Sequence, residues 1–186
     1  MTDLDQTRVD KGVAYVHGEL DKLALRGRLN QDKLNRLKAL VTGSLSKDVF
    51  ADADLVIEAV FEEMSVKQQV FAEVEAVVSP ECVLATNTSA LSVTELATGT
   101  SRPSRVVGLH WFNPAPVMGL VEVVRTVVTD PSVVEDVQSL VERVGKTGVT
   151  AGDRAGFIAN ALLFGYLNHA VSMYESRYAT REDIDA

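Results

Sequence analysis

Two residues of the sequence could do acid–base chemistry together, His110 and Glu122. Glu122 lies in the otherwise apolar segment 120–124, where a carboxylate is costly to bury unless a partner meets it. His110 directly follows the apolar segment 106–109 and is the obvious partner. A carboxylate that accepts from one imidazole nitrogen fixes the tautomer and makes the other nitrogen a better base. The alternative, that His110 is a hydrogen-bonded turn residue and Glu122 a surface residue of an edge strand, stays open from the residues alone.

Polar side chains also follow the apolar segment 83–85. The run Thr86, Asn87, Thr88 and Ser89 supplies hydroxyl and amide groups at the point where that segment ends. Ligands of α/β proteins collect at the carboxyl ends of the strands. We therefore expect this run and His110 to contribute to one site.

Other kinds of site lack their sequence patterns. The sequence contains neither G-x-G-x-x-G nor G-x-x-x-x-G-K-[ST], and the segment 145–148 (GKTG) is interpreted as a turn. The three histidines are scattered and accompany a single cysteine, so we predict no metal site. Cys82 begins an apolar segment and is interpreted as a core residue rather than a nucleophile. One cysteine excludes an internal disulfide, which fits a reducing compartment and predicts a cytoplasmic location.

Charge and hydropathy narrow the class of partner. A net charge of −8 argues against general nucleic-acid binding, and no apolar run is long enough to span a bilayer. Eight of the eighteen basic residues lie within the first forty. They form either solvated helix surfaces or a local face that steers a phosphate-bearing substrate.

The positions of apolar residues predict an α/β fold. Short apolar runs predict strands at 55–57, 83–85, 106–109, 120–124 and 147–150, and three- and four-residue spacing predicts helices at 6–28, after Asn30, at 64–78, 92–98 and 132–144. Alternation of strands and helices predicts a parallel sheet. From residue 155 the sequence predicts one long, largely apolar helix that needs partners, and then a helix capped by Thr180.

Five motifs together carry a family resemblance. They are DLVIEAVFE (54–62), TNTS (86–89), GLHWFNP (108–114), LVEVV (120–124) and GFIAN (156–160). In this order and spacing they resemble the 3-hydroxyacyl-CoA dehydrogenases, and the likeness runs over nearly all 186 residues.

The resemblance implies a role for each candidate residue. His110 would be the general base for the 3-hydroxyl of an acyl-CoA substrate, and Glu122 its carboxylate partner. Ser89 and Asn160 would hydrogen-bond the reacting oxygen. The cofactor would be NAD, and the positions matching those near it are Glu62, Lys67 and Asn87 at the nicotinamide and ribose half, and Asp3 (with Asp5 close by) at the adenosine ribose.

The resemblance also implies an architecture, a Rossmann-type parallel sheet that lacks its first strand and glycine loop. Residues 1–152 would be a partial NAD-binding domain, and 153–186 the start of the helical C-terminal domain through which the family forms homodimers. We expect the chain to be truncated at both ends, with the family's third strand, near 43–45, left without its neighbour. The expected function is NAD-dependent oxidation of 3-hydroxyacyl-CoA to 3-oxoacyl-CoA in fatty-acid β-oxidation. The alternatives are an inactive or partner-dependent fragment, and a related dehydrogenase acting on another substrate such as a sugar acid.

Overall fold

The computed structural model describes all 186 residues and divides into two compact units, Met1–Asp52 and Ala53–Ala186. The first unit is helical, with α1 at Gln6–Leu25 and α2 at Gln31–Ala39, as the sequence predicts. Each helix begins at a side-chain cap. The Asp5 carboxylate accepts from the amide of Arg8, and the side-chain oxygen of Asn30 accepts from the amide of Lys33. Such caps satisfy amides that have no partner within the first turn of a helix.

The prediction of a strand near residues 43–45 is wrong. Only an isolated parallel bridge between Thr2 and Ser44 forms there. The physical reason is that the chain turns into α1 at its cap Asp5, three residues after the bridging Thr2. A ladder of strand hydrogen bonds therefore does not develop in this unit.

The second unit alternates strands and helices, and each of the five strands predicted for it is present. Its elements are β1 Leu55–Glu58, α3 Met64–Glu75, β2 Val83–Thr86, α4 Val93–Thr98, β3 Val106–Trp111, β4 Leu120–Arg125, α5 Pro131–Arg143, β5 Thr147–Gly152, α6 Ala159–Glu175 and α7 Arg181–Asp185. Two short 3-10 helices complete the chain, Lys47–Phe50 in the first unit and Pro103–Arg105 in the second.

The five strands form one sheet in the order β1-β2-β3-β4-β5. Three of the four strand pairs are parallel, but β3 and β4 are antiparallel, so the predicted parallel sheet is a mixed sheet. Residues 112–119 connect β3 to β4 without a helix. A parallel crossover needs a dozen or more residues, so a connection this short returns the chain in the opposite direction.

A core of mostly β-branched side chains packs α5 against one face of the sheet. Its buried members are Val83, Ala85, Val107, Leu109, Val121, Val123, Val133, Val137 and Val141. Side chains alternate between the two faces along a strand. His110 and Glu122 therefore point away from α5, toward the opposite face. Cys82 is buried, and burial raises the pKa of its thiol, which confirms its interpretation as a core residue.

The two C-terminal helices form as predicted, and α6 has no buried residue. Its large apolar side chains are exposed, including Leu162, Phe164 and Tyr166. Thr180 caps α7 by accepting from the amide of Asp183. Pairing of two copies through this segment stays a prediction, as does the domain boundary at residue 152. No helix is both long and apolar enough to cross a membrane.

Candidate active site

His110 and Glu122 are direct neighbours across the antiparallel pair β3 and β4. The register aligns their Cα positions, and His110 Nδ1 lies 2.7 Å from Glu122 Oε2. Both residues are buried, at 4% and 1% exposure. Aligned residues of antiparallel strands carry their side chains on the same face. The antiparallel pairing of β3 and β4, where the sequence predicted a parallel sheet, thus brings the two residues together.

The second carboxylate oxygen of Glu122 is held by backbone. Glu122 Oε1 accepts from the amides of Ile158 at 3.0 Å and Ala159 at 2.9 Å. These amides lie at the start of α6, where amide groups have no partner within the helix. Both oxygens of this buried carboxylate are therefore satisfied, one by an imidazole and one by the first turn of a helix.

The contact on the other side of the imidazole is Ser89. Its Oγ lies 2.9 Å from His110 Nε2. An ionised carboxylate only accepts hydrogen bonds, so Nδ1 of a neutral His110 carries the proton and Nε2 presents its lone pair. The Ser89 hydroxyl therefore donates to Nε2, and Ser89, His110 and Glu122 form a continuous chain of hydrogen bonds. Rings of Phe112 and Phe157 flank the imidazole, with centroids 4.6 Å and 5.5 Å away.

Asn160 is the second residue of α6 and is partly exposed. Its neighbour Ala159 is one of the two residues whose amides bind Glu122. The structure thus ties the backbone next to Asn160 to the dyad, although the side chain of Asn160 makes no hydrogen bond within the chain.

The segment that carries Ser89 is fixed by Glu62. Glu62 Oε1 accepts from the amides of Ser89 at 2.9 Å and Ala90 at 3.3 Å, and from the Thr88 hydroxyl. Burial alone would raise the pKa of the Glu62 carboxyl. The hydrogen bonds from Thr88, Ser89 and Lys67, with the charge of Lys67, hold this pKa below its ordinary value.

Lys67 links Glu62 to a second buried carboxylate, Glu58. The ammonium lies 2.9 Å and 3.1 Å from the two oxygens of Glu58 and 3.1 Å from Glu62 Oε2. Thr86 and the amide of Val60 also donate to Glu58, at 2.7 Å and 2.6 Å. Sequence reasoning gave Glu58 no role. The signal was present, since Glu58 ends an apolar strand just as Glu122 interrupts one.

The remaining predicted residues occupy different places. Asn87 Oδ1 accepts from the amide of Trp111 at 2.8 Å, which ties the end of β2 to the end of β3. Asp3 lies in the first unit, where its carboxylate accepts from the amide of Leu4 at 2.7 Å. The structure of the second unit therefore brings together Ser89, Glu62, Lys67, His110 and Glu122 in one network. Asn87 lies next to Thr88, which donates to Glu62, and Asn160 lies next to Ala159, whose amide donates to Glu122.

Chemically, the arrangement is an imidazole with Nε2 facing the Ser89 hydroxyl and Nδ1 held by a buried carboxylate. Such a group can take a proton from an alcohol, and the carboxylate then stabilises the imidazolium. His110 and Glu122 are thus in contact, and the general-base role expected of His110 stays a prediction.

Comparison with known proteins identifies relatives that match most of the chain. The family model described as 3-hydroxyacyl-CoA dehydrogenase, NAD binding domain, matches residues 1–154. A 3-hydroxybutyryl-CoA dehydrogenase of Mycobacterium tuberculosis is 42% identical over 168 residues, covering 89% of this chain and 59% of the relative. The peroxisomal fatty acid beta-oxidation multifunctional protein MFP2 of Arabidopsis thaliana is 34% identical over 94% of this chain and 24% of its own length.

Solved structures agree with the sequence relatives. The crystal structure of (S)-3-hydroxybutyryl-CoA dehydrogenase from Ralstonia eutropha has a TM-score of 0.93 and 34% identity, and it covers 98% of this chain and 65% of that chain. The five-stranded mixed sheet therefore belongs to a Rossmann-like domain of the NAD-binding type. The chain spans 59% of the length of the Mycobacterium relative.

Proposed function

The chain belongs to the 3-hydroxyacyl-CoA dehydrogenase family, and on that premise we propose that it catalyses NAD-dependent oxidation of a 3-hydroxyacyl-CoA to the 3-oxoacyl-CoA. The observation that carries the proposal is the hydrogen-bonded chain from Ser89 through His110 to Glu122. The names of the relatives, 3-hydroxybutyryl-CoA dehydrogenases among them, support the substrate class.

His110 would remove the proton of the substrate's 3-hydroxyl. Its Nε2 has one lone pair, which the Ser89 hydroxyl occupies in the free protein. On binding, the substrate hydroxyl would donate to Nε2, and the Ser89 hydroxyl would turn to donate to the substrate oxygen. Oxidation then leaves a carbonyl on C3 and a proton on Nε2, while the buried Glu122 balances the charge of the imidazolium.

Ser89 and Asn160 would orient the reacting oxygen and stabilise the charge that develops on it. The amide contacts that Glu62 makes with Ser89 and Ala90 support this role for Ser89. Asn160 is supported by its position in the first turn of α6, next to Ala159. A donor of this kind contributes on the order of 10²- to 10³-fold to turnover when it meets the developing oxyanion.

The residues fit the nicotinamide end of an NAD molecule better than its pyrophosphate. Glu62 is 43% exposed at its side chain and lies beside the Ser89 segment, and Asn87 presents an amide nitrogen at the end of β2. When bound, NAD supplies the acceptor for the hydride from C3. No G-x-G-x-x-G motif occurs in the 186 residues. This last observation supports the second candidate, a chain that is inactive by itself or needs a partner chain to bind NAD.

Measurement of NADH formation from 3-hydroxybutyryl-CoA by the 186-residue chain separates the two candidates. The proposal predicts turnover that His110→Ala lowers by about 10²- to 10⁴-fold, the usual contribution of a general base. The exposed His169 on α6 offers a matched control, and His169→Ala should turn over like the parent. A folded parent without turnover or NAD binding would contradict the activity and favour the second candidate.

A further inference from the structure

A backbone turn directly precedes the two amides that hold Glu122 at the start of α6. Gly156 and Phe157 both have positive φ, at 75° and 47°. Glycine tolerates this conformation, but a phenylalanine adopts it only when the surrounding structure holds it there. The two amides that follow the turn, those of Ile158 and Ala159, are the ones that donate to Glu122 Oε1.

We propose that the Gly156–Phe157 turn is a positioning element for the catalytic dyad, an inference that rests on the proposed function. The turn fixes Glu122 through Oε1, so that Oε2 stays in line with His110 Nδ1. The same amides begin the helix that carries Asn160. One buried carboxylate thereby sets the tautomer of the base and the place of the residue expected to bind the reacting oxygen.

A single partner would not suffice to orient the carboxylate of Glu122. Rotation of a carboxylate about its last side-chain bond has broad minima, so one hydrogen bond at Oε2 leaves the plane of the group poorly defined. Two amide donors at Oε1, at 3.0 Å and 2.9 Å, define that plane. Hydrogen bonds from amides to a charged acceptor are stronger than those between neutral groups.

The turn also has little room for change. A Cβ atom at Gly156 would lie 2.9 Å from the backbone nitrogen of Ala161 and 3.3 Å from the carbonyl carbon of Asn160. The first turn of α6 would have to move to accept it. Phe157, the strained residue, is 93% buried and packs its ring edge-on to that of His110.

Gly156→Ala tests the proposal, with Gly145→Ala as the matched control. Gly145 has φ 77°, but a Cβ there would meet no atom within 4 Å. Both glycines have nearly the same positive φ, and only at Gly156 would the added Cβ crowd the first turn of α6, whose amides bind Glu122. Two measurements on the 186-residue chain apply, residue-resolved amide hydrogen exchange and the ¹⁵N spectrum of the His110 ring, which reports the protonated nitrogen.

We expect Gly156→Ala to speed exchange at Ile158 and Ala159 by about ten- to a hundredfold, as the loss of hydrogen bonds to a charged group implies. The His110 ring should change from one tautomer with the proton on Nδ1 to a mixture. Gly145→Ala should change neither. If Gly156→Ala does not fold, Glu122→Gln replaces it, because a neutral acceptor should speed exchange at the same two amides by a smaller factor.

Unchanged exchange in Gly156→Ala, or faster exchange with an unchanged His110 ring, would overturn the positioning role. Equal exchange in the parent and Glu122→Gln would do the same if that variant is the one used. Neither readout depends on turnover. A parent chain that makes no NADH yet gives these results would count against the proposed activity and not against the turn.

Discussion

Two buried glutamates, Glu122 on β4 and Glu58 on β1, hold the same site from opposite sides. Glu58 is 3% exposed and Glu122 is 1% exposed, and each accepts hydrogen bonds at both oxygens. They differ in the basic partner, which is Lys67 for Glu58 and His110 for Glu122. The two networks meet at Ser89, where Glu62 binds the amide and His110 the hydroxyl.

The difference shows how a partner decides the role of a buried carboxylate. Lys67 is held between Glu58 and Glu62, so the Glu58–Lys67 pair is a static support for the Ser89 segment that Glu62 binds. An imidazole can accept a proton at one nitrogen while the other donates to a carboxylate, so the Glu122–His110 pair can do chemistry. Changes at Glu122 should therefore alter turnover, and changes at Lys67 should alter stability.

The largest expected effect is that of Glu122→Gln on turnover. The amide of a glutamine would donate to His110 Nδ1 and force the proton onto Nε2, which removes the base. We expect kcat to fall by about 10²- to 10⁴-fold, the range of general-base catalysis, with the KM for 3-hydroxybutyryl-CoA nearly unchanged. Steady-state kinetics measures both, and the exposed Glu135→Gln on α5 is the control. A parent-like kcat would remove the distinction between the two glutamates.

Lys67→Met should instead lower stability. The methionine nearly keeps the length of the side chain, but the carboxylate of Glu58 and Oε2 of Glu62 lose their contact with the ammonium. Glu58 is buried, so its charge is then uncompensated. Breaking a buried ion pair by removing one partner costs about 3 to 5 kcal/mol in the free energy of unfolding. Urea denaturation of the parent and the variant measures this cost.

The controls for Lys67→Met are a surface lysine and a double variant. Lys22 pairs with Glu19 at the surface, so Lys22→Met should unfold like the parent. Adding Glu58→Gln to Lys67→Met should restore part of the lost stability, because the uncompensated charge is then removed. If the double variant were less stable than Lys67→Met alone, the static support assigned to this pair would be wrong.

The smallest expected effect is the pH dependence that Glu62 adds. Its folded pKa lies below the ordinary value of 4.5, so the carboxylate stabilises the folded chain above that value. This contribution is lost as the pH falls through the folded pKa. The difference in unfolding free energy between the parent and Glu62→Gln should therefore be largest near neutral pH and shrink below pH 4.5. Glu142→Gln, at an exposed position of α5, is the matched surface control.

Much of the fold was predictable because local patterns determine it. The strands follow from short apolar runs, and α1, α2 and α7 follow from apolar spacing and from Asp5, Asn30 and Thr180, whose side chains cap them. The direction of β4 was not predicted, because an apolar strand looks the same whether its neighbour is parallel or antiparallel. The length of the connection before it was the available signal.

The dyad was predicted in part, and its surroundings were not. An acidic residue in an apolar strand marked Glu122, but the same signal at Glu58 was overlooked because its partner Lys67 lies on a helix. The contacts of Glu122 with Ile158 and Ala159 have no sequence signal, since every residue except proline has a backbone amide. Only the turn at Gly156 hints at them.

In the proposed mechanism, Glu122 fixes the proton of His110 on Nδ1 and leaves Nε2 as the base. The ¹⁵N spectrum of the His110 ring in the parent and in Glu122→Gln, recorded at a pH where the ring is neutral, tests it directly. We expect a protonated Nδ1 of His110 in the parent and a protonated Nε2 in the variant, with the His17 and His169 rings unchanged in both. A parent with the proton on Nε2, or the same tautomer in both proteins, would contradict it.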